Sequence, residues 1–79
     1  MTSEKLDGAF RRALELDPGI DPASLAYRSI PQWDSIGHIT LIAELESTYD
    51  VMFSSDDVLA LSSYAKAVEL LKANGVDEV

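Results

Sequence analysis

Residues 35–49 read Ser-Ile-Gly-His-Ile-Thr-Leu-Ile-Ala-Glu-Leu-Glu-Ser-Thr-Tyr. Ile36, Ile39, Ile42, Leu45 and Tyr49 recur at spacings of 3, 3, 3 and 4, and Leu41 and Ala43 widen the apolar side. Branched Ile residues suit a strand, but the period is not two and the length favours a helix. Upstream, residues 3–16 carry Leu6, Phe10, Ala13 and Leu14 on one helical face, with Ser3 as the expected N-cap and Asp17-Pro18-Gly19 as the stop. Pro22 and Pro31 punctuate the long aperiodic stretch that follows, which Ile20, Leu25, Tyr27 and Ile30 are expected to pin to the core. Such loops are usually functional or hold a short helix. Downstream, Ser54 and Asp57 stand at capping-box spacing before a short helix that runs out at Ser62-Ser63. Ser62 is the expected cap of a last helix carrying Tyr64, Ala67, Val68 and Leu71, and Asn74-Gly75 its stop. The expected fold is all-α: a small four-helix bundle with three longer helices, a short third helix and a long loop between helices one and two.

Seventy-nine residues make a single domain, 1–79. A chain of this size buries only about 60% of its unfolded surface. It has no Cys and one His, which excludes disulfides, thiolate chemistry and His-based metal clusters. Apolar residues make up 47% and charged residues 25%, ordinary for a globular domain. No apolar run approaches the roughly 20 residues of a membrane span. The N-terminus lacks the layout of a signal peptide, so the expected location is cytoplasmic. Six basic against fourteen acidic residues give a net charge of −8. That charge repels nucleic acid and anionic membranes and attracts basic protein surfaces. The middle of the chain is purely anionic: between Arg28 and Lys66 lie Asp34, Glu44, Glu46, Asp50, Asp56 and Asp57.

Catalytic residue types are scarce. Asp34-Ser35-Ile36-Gly37-His38 holds Ser, His and Asp, but nothing in the sequence orients the imidazole, so an enzyme is not expected. Asp34-Ser35 reads as a helix N-cap. The compatible functional reading is an exposed hydroxyl at a helix N-terminus, where N–H groups and the macrodipole favour a phosphate.

Gln32-Trp33-Asp34-Ser35-Ile36-Gly37-His38, continued by Ile39-Thr40-Leu41-Ile42-Ala43-Glu44-Leu45-Glu46, resembles the signature of the acyl carrier protein family. The likeness extends through Tyr49-Asp50-Val51-Met52-Phe53 and Ser62-Ser63-Tyr64, covering nearly all of residues 3–74. In that family an Asp-Ser-Leu motif opens the second helix, and the Ser carries 4′-phosphopantetheine, whose thiol holds acyl groups as thioesters. The resemblance implies that Ser35 is the attachment site and that Asp34 helps position it and the loading enzyme's metal–phosphate centre. It implies that Ile36, Ile39 and Ala43 contact partners or line the entrance to an acyl cavity. Glu44, Glu46, Asp50, Asp56 and Asp57 would form an acidic face, with Met52 and Phe53 beside it. The implied partners are a phosphopantetheinyl transferase and acyl-activating, acyltransferase and condensing enzymes with basic docking surfaces, acting on a monomer.

The departures narrow this expectation. Ile36 replaces the usual Leu, Gly37 stands where fatty-acid carriers often have Asp, and Thr40 and Ser47 stand where Glu is common. Trp33 and Gly37 look more like carriers of specialised pathways, including polyketide, nonribosomal-peptide and D-alanyl carriers. A free-standing specialised acyl carrier is therefore expected, with an aminoacyl, peptidyl or D-alanyl carrier as the alternative. The alternative of another class is a helical interaction domain never modified at Ser35. Ser35→Ala is expected to cost a cap as well as the attachment site. Charge reversal at Glu44 and Glu46 is expected to slow partner association. Bulky Trp33, Tyr49 and Tyr64 point to a short or polar cargo, weakly held.

Overall fold

The computed structural model describes residues 4–77 and Val79. Its elements are α1 (Glu4–Leu14), a 3-10 turn (Pro22–Ser24), α2 (Ser35–Tyr49), α3 (Ser55–Ala60) and α4 (Tyr64–Ala73), an all-α fold as the periodicity predicts. The expected Ser3 cap lies outside the described residues. Helix α1 stops earlier than Asp17-Pro18-Gly19 would have it. Glu15 turns into the left-handed region (φ 50°), and Leu16 N–H then bonds back to the Arg11 carbonyl. Such a left-handed residue ends a helix wherever it stands, and Glu here does what Gly usually does.

The core is built from Leu6, Ala9, Phe10 and Leu14 of α1, Leu41, Ile42, Leu45 and Tyr49 of α2, and Tyr64, Ala67, Leu70 and Leu71 of α4, closed by Leu25, Trp33 and Leu61. The long loop is pinned above all by Trp33, which is fully buried and meets the Phe10 ring edge-on at 5.7 Å. Leu25 is also buried, Ile20 and Ile30 are half-buried, and Tyr27 stays on the surface. Asp21 caps the 3-10 turn by accepting from Ala23 N–H.

The apolar residues of α2 do not form one stripe. Leu41, Ile42, Leu45 and Tyr49 are buried, whereas Ile36 and Ile39 are 76% and 67% exposed and Ala43 is exposed beside them. One helix thus carries a core face and a separate apolar face open to solvent, which a three-residue spacing blends into one pattern. Helix α4 is capped by Ser63, whose Oγ accepts from Lys66 N–H, and not by Ser62. The Ser62 carbonyl instead accepts from Tyr27 N–H, within a small bridge between Ala26 and Ser63 that ties the loop to the start of α4. Helix α4 ends at Asn74, with Gly75 left-handed (φ 93°) and Val76 N–H on the Leu71 carbonyl.

Helix α3 buries no residue fully: Val58 and Ala60 pack half-buried against the core, and polar stitches fix its ends. Ser54 and Asp57 form the expected capping box, and the Asn74 side-chain amide donates to Asp57 Oδ2 at 3.3 Å. The bond from Ser54 N–H, followed by that from Asn74, holds the Asp57 carboxyl below its ordinary value of 3.8. Because the folded value is depressed, Asp57 contributes stability above the unfolded pKa, and that contribution fades as pH falls through the lower folded value. We expect the amides of α3 to lose hydrogen-exchange protection on acidification below about pH 4, the ordinary carboxylate range. In Asp57→Asn that acid step should vanish, and an unchanged step would place its cause elsewhere.

Candidate functional site

The start of α2 organises the surface. Asp34 is extended (φ −98°, ψ −166°), and its Oδ1 accepts from Gly37 N–H at 2.9 Å, so Asp34 is the N-cap. Ser35 is the first helical residue and its side chain is exposed. The expectation that Ser35 itself caps the helix is corrected by this geometry: a residue inside the first turn cannot aim its hydroxyl back at the N–H groups that Asp34 reaches. The Ser35 hydroxyl instead lies 3.4 Å from the Tyr27 hydroxyl. That contact, followed by one with Arg28, lowers the Tyr27 phenol from its ordinary value of 10.0. Arg28 lies over the Tyr27 ring, 5.4 Å from its centre. It is itself left-handed (φ 71°), and its N–H bonds to the Trp33 carbonyl, closing the turn that brings Tyr27 back beside Ser35.

Gly37 makes that turn possible. A Cβ there would stand 2.0 Å from the Gln32 carbonyl oxygen, so the loop backbone crosses the first turn of α2 in the space a side chain would take. One turn along, His38 is oriented after all. The Trp33 indole N–H donates to His38 Nδ1 at 3.0 Å, and His38 Nε2 bonds the Val58 carbonyl at 2.7 Å. An indole N–H can only donate, so Nδ1 accepts and the proton sits on Nε2. The ring therefore bridges the loop, α2 and α3. Both of its nitrogens are committed, which leaves neither to activate Ser35.

Two clefts flank Ser35. One, of about 180 Å³, is lined by Tyr27, His38, Val58, Leu59, Leu61 and Ser62 and is mostly apolar. The other, of about 280 Å³, runs between the end of α1 and the start of α2 past Glu15, Gln32, Asp34 and Thr40 and is more polar. Four large apolar side chains on α2, on α3 and between them are open to solvent: Ile36, Ile39, Met52 and Leu59, the last two 85% and 84% exposed. Phe53 is half-buried.

The acidic residues divide between contacts inside the fold and open surface. Glu44 lies roughly 80° around α2 from Ile36 by helical geometry, and it pairs with Arg12 of α1. Glu46 accepts from Phe53 N–H at 2.9 Å and holds the connection after α2. Asp50 is the left-handed C-cap of α2 (φ 54°), and Asp56 is exposed in the first turn of α3. Reversing Glu44 and Glu46 would thus break contacts inside the fold, so Asp50 and Asp56 are the cleaner probes of an acidic face. The sequence reading missed Tyr27 and Arg28 as neighbours of the motif, and missed the crossing of the Gln32 backbone over Gly37. The one local signal was Gly37, since a Gly inside a helical pattern often marks a close backbone approach. Among the described residues, no group of three His, Asp or Glu side chains is placed to hold a metal ion, and no helix is long and apolar enough to cross a membrane. No protein-family model, no curated protein and no solved structure matches the chain.

Proposed function

We propose that the chain is a carrier protein that bears 4′-phosphopantetheine on Ser35 and presents acyl groups to partner enzymes, and that it is not itself an enzyme. The observation that carries this reading is the division of labour at the start of α2: Asp34 caps the helix, and the Ser35 hydroxyl is left exposed at the positive end of the macrodipole. The surroundings fit the group. The Tyr27 hydroxyl lies where it would meet an added phosphate, Arg28 stacks over the Tyr27 ring, and Tyr27 also lines an apolar cleft. When bound, the group supplies the thiol that holds cargo as a thioester. Loading requires Ser35 Oγ to form a bond to the phosphorus of coenzyme A that bears the pantetheine. The anhydride bond to 3′,5′-ADP breaks, and the serine proton leaves to a base of the transferase. The chain's own part is to fix the hydroxyl on a rigid helix and keep water-accessible space around it.

Intact mass and peptide mapping after incubation with coenzyme A and a phosphopantetheinyl transferase test this reading. One phosphopantetheine on the peptide containing Ser35 is expected. An unmodified chain would favour the second reading, an interaction domain that uses exposed Ile36, Ile39, Met52 and Leu59 as its contact face. The partner enzymes are proposed to be basic where they dock. Asp50→Lys with Asp56→Lys is therefore expected to slow loading, and the deficit should shrink as salt is raised, because exposed charges act by steering and are screened. A deficit independent of ionic strength would assign these residues a packing role. Glu4→Lys, at the start of α1, is expected to change the rate much less.

A further inference from the structure

We infer that the cleft between Tyr27, His38 and the α3 segment Val58–Leu61 seats the proximal, dimethyl-bearing end of the arm on Ser35, with Tyr27 donating to the phosphodiester, and that cargo lies beyond it. This rests on Ser35 being the attachment site. The cleft opens within one side chain of that hydroxyl: Tyr27 lines it, and the Tyr27 hydroxyl is 3.4 Å from Ser35 Oγ. His38 forms the wall one helical turn from Ser35, held in place by its bonds to Trp33 and Val58. In phosphopantetheine the carbon bearing two methyl groups lies one methylene beyond the phosphodiester, and the thiol comes last, beyond two amides. A cleft this close to the tether therefore meets the dimethyl carbon first.

Size and lining agree. The volume is about 180 Å³. A cavity of roughly 150 Å³ accepts a benzene-sized apolar group, whereas drug-sized ligands fill roughly 300–1,000 Å³. The cleft can take the branched carbon and its methyls but not a long chain in addition. Val58, Leu59 and Leu61 supply the apolar wall, and Tyr27 and Ser62 place hydroxyls at its rim. Leu59 is exposed although it is apolar, and a methyl-bearing group in the cleft would cover it.

The test compares apo, holo and octanoyl protein by NMR, each state first confirmed by intact mass. Holo protein should show nuclear Overhauser contacts from the arm's methyl groups to Leu59 and to the Tyr27 ring. Shifts at Tyr27, His38, Val58, Leu59 and Ser62 should appear on going from apo to holo and not grow when the octanoyl chain is added. Holo protein carrying Leu59→Lys, an exposed substitution, should lack the methyl contacts, with attachment of the arm confirmed by intact mass. Tyr27→Phe should move the phosphodiester phosphorus resonance. Holo protein whose shifts are confined to residues 34–37 would overturn the proposal, because the arm would then be free in solvent. Cleft shifts that appear only with octanoate would also overturn it, by giving the cleft to cargo. A phosphorus resonance unmoved in Tyr27→Phe would remove Tyr27 from the site. Failure to gain mass at all would instead overturn the assignment of Ser35, so the two failures are distinct.

Discussion

Ser35→Ala is expected to gain no mass with coenzyme A and a phosphopantetheinyl transferase, while the unaltered chain gains one phosphopantetheine. The expectation follows from where Ser35 stands beside the serines that hold the fold. Ser54 and Ser63 accept from helix N–H groups, Ser24 donates to the Asp21 carbonyl, and Ser29 accepts from Ala26 N–H. Ser35 is exposed, stands at the N-terminus of the 15-residue α2, and touches only another hydroxyl, that of Tyr27. The same geometry separates loading from folding. Because Asp34 is the cap, Ser35→Ala should change stability by no more than about 0.5 kcal/mol, as at an ordinary surface site. Asp34→Ala should cost about 0.5–2 kcal/mol. Denaturant melts beside the mass spectra check both halves. Loading at Ser54 or Ser62 in Ser35→Ala would remove the attachment site from α2. A large stability loss in Ser35→Ala would mean that the hydroxyl supports the helix end.

Gly37→Ala is expected to destabilise the fold, against the usual sign for a helix. In an open helical position Ala is better than Gly by about 1 kcal/mol. Here the new Cβ would stand 2.0 Å from the Gln32 oxygen, 3.1 Å from its carbonyl carbon and 3.4 Å from Leu14 Cδ2. The first two are backbone atoms, so either the loop or the first turn of α2 must move. Overpacking of this kind costs about 1–3 kcal/mol, and in a domain of this size each kcal/mol lowers the melting midpoint by about 4–8 °C. Gly8→Ala in α1 supplies the opposite sign. Its nearest neighbour is Arg12 Nη1 at 3.1 Å, the far end of a flexible side chain that can step aside, so this variant should be more stable. A Gly37→Ala protein more stable than its parent would show that the loop does not cross α2 there. The same clash leaves no room for an Asp at this position, because the loop that carries Tyr27 and Trp33 occupies it.

The four helices were legible because periodicity, caps and stops are local. Asn74-Gly75 and the Ser54–Asp57 box act within a few residues of themselves, and the structure places both as expected. Where local signals competed, the sequence misled. Ser62 and Ser63 are equal caps on paper, and a backbone bond from Tyr27, far away in the chain, decides for Ser63. Asp34 and Ser35 are both good caps, and the choice of Asp34 depends on where the helix starts, which the Gln32 crossing at Gly37 helps to set. The apolar run of α2 looked like one face because spacing reports a period and not a partner. Only the packing of α1 and α4 reveals that Leu41, Ile42 and Leu45 are core while Ile36, Ile39 and Ala43 are left outside.

Charge shows the same division. Composition alone determined the sign of the net charge and which partner surfaces it attracts or repels, because long-range fields depend on total charge. It did not determine which carboxylates face a partner, because that depends on what else is within reach. Arg12 takes Glu44, and Phe53 N–H takes Glu46. The sequence by itself thus determined a small acidic all-α domain with one conspicuous hydroxyl at a helix start. Only the tertiary structure decided that this hydroxyl stands beside Tyr27 and a small apolar cleft. Tyr27 and α3 lie on opposite sides of Ser35 in the chain, and they meet because buried Trp33 draws in the loop while His38, bonded to both Trp33 and Val58, holds α3 against α2.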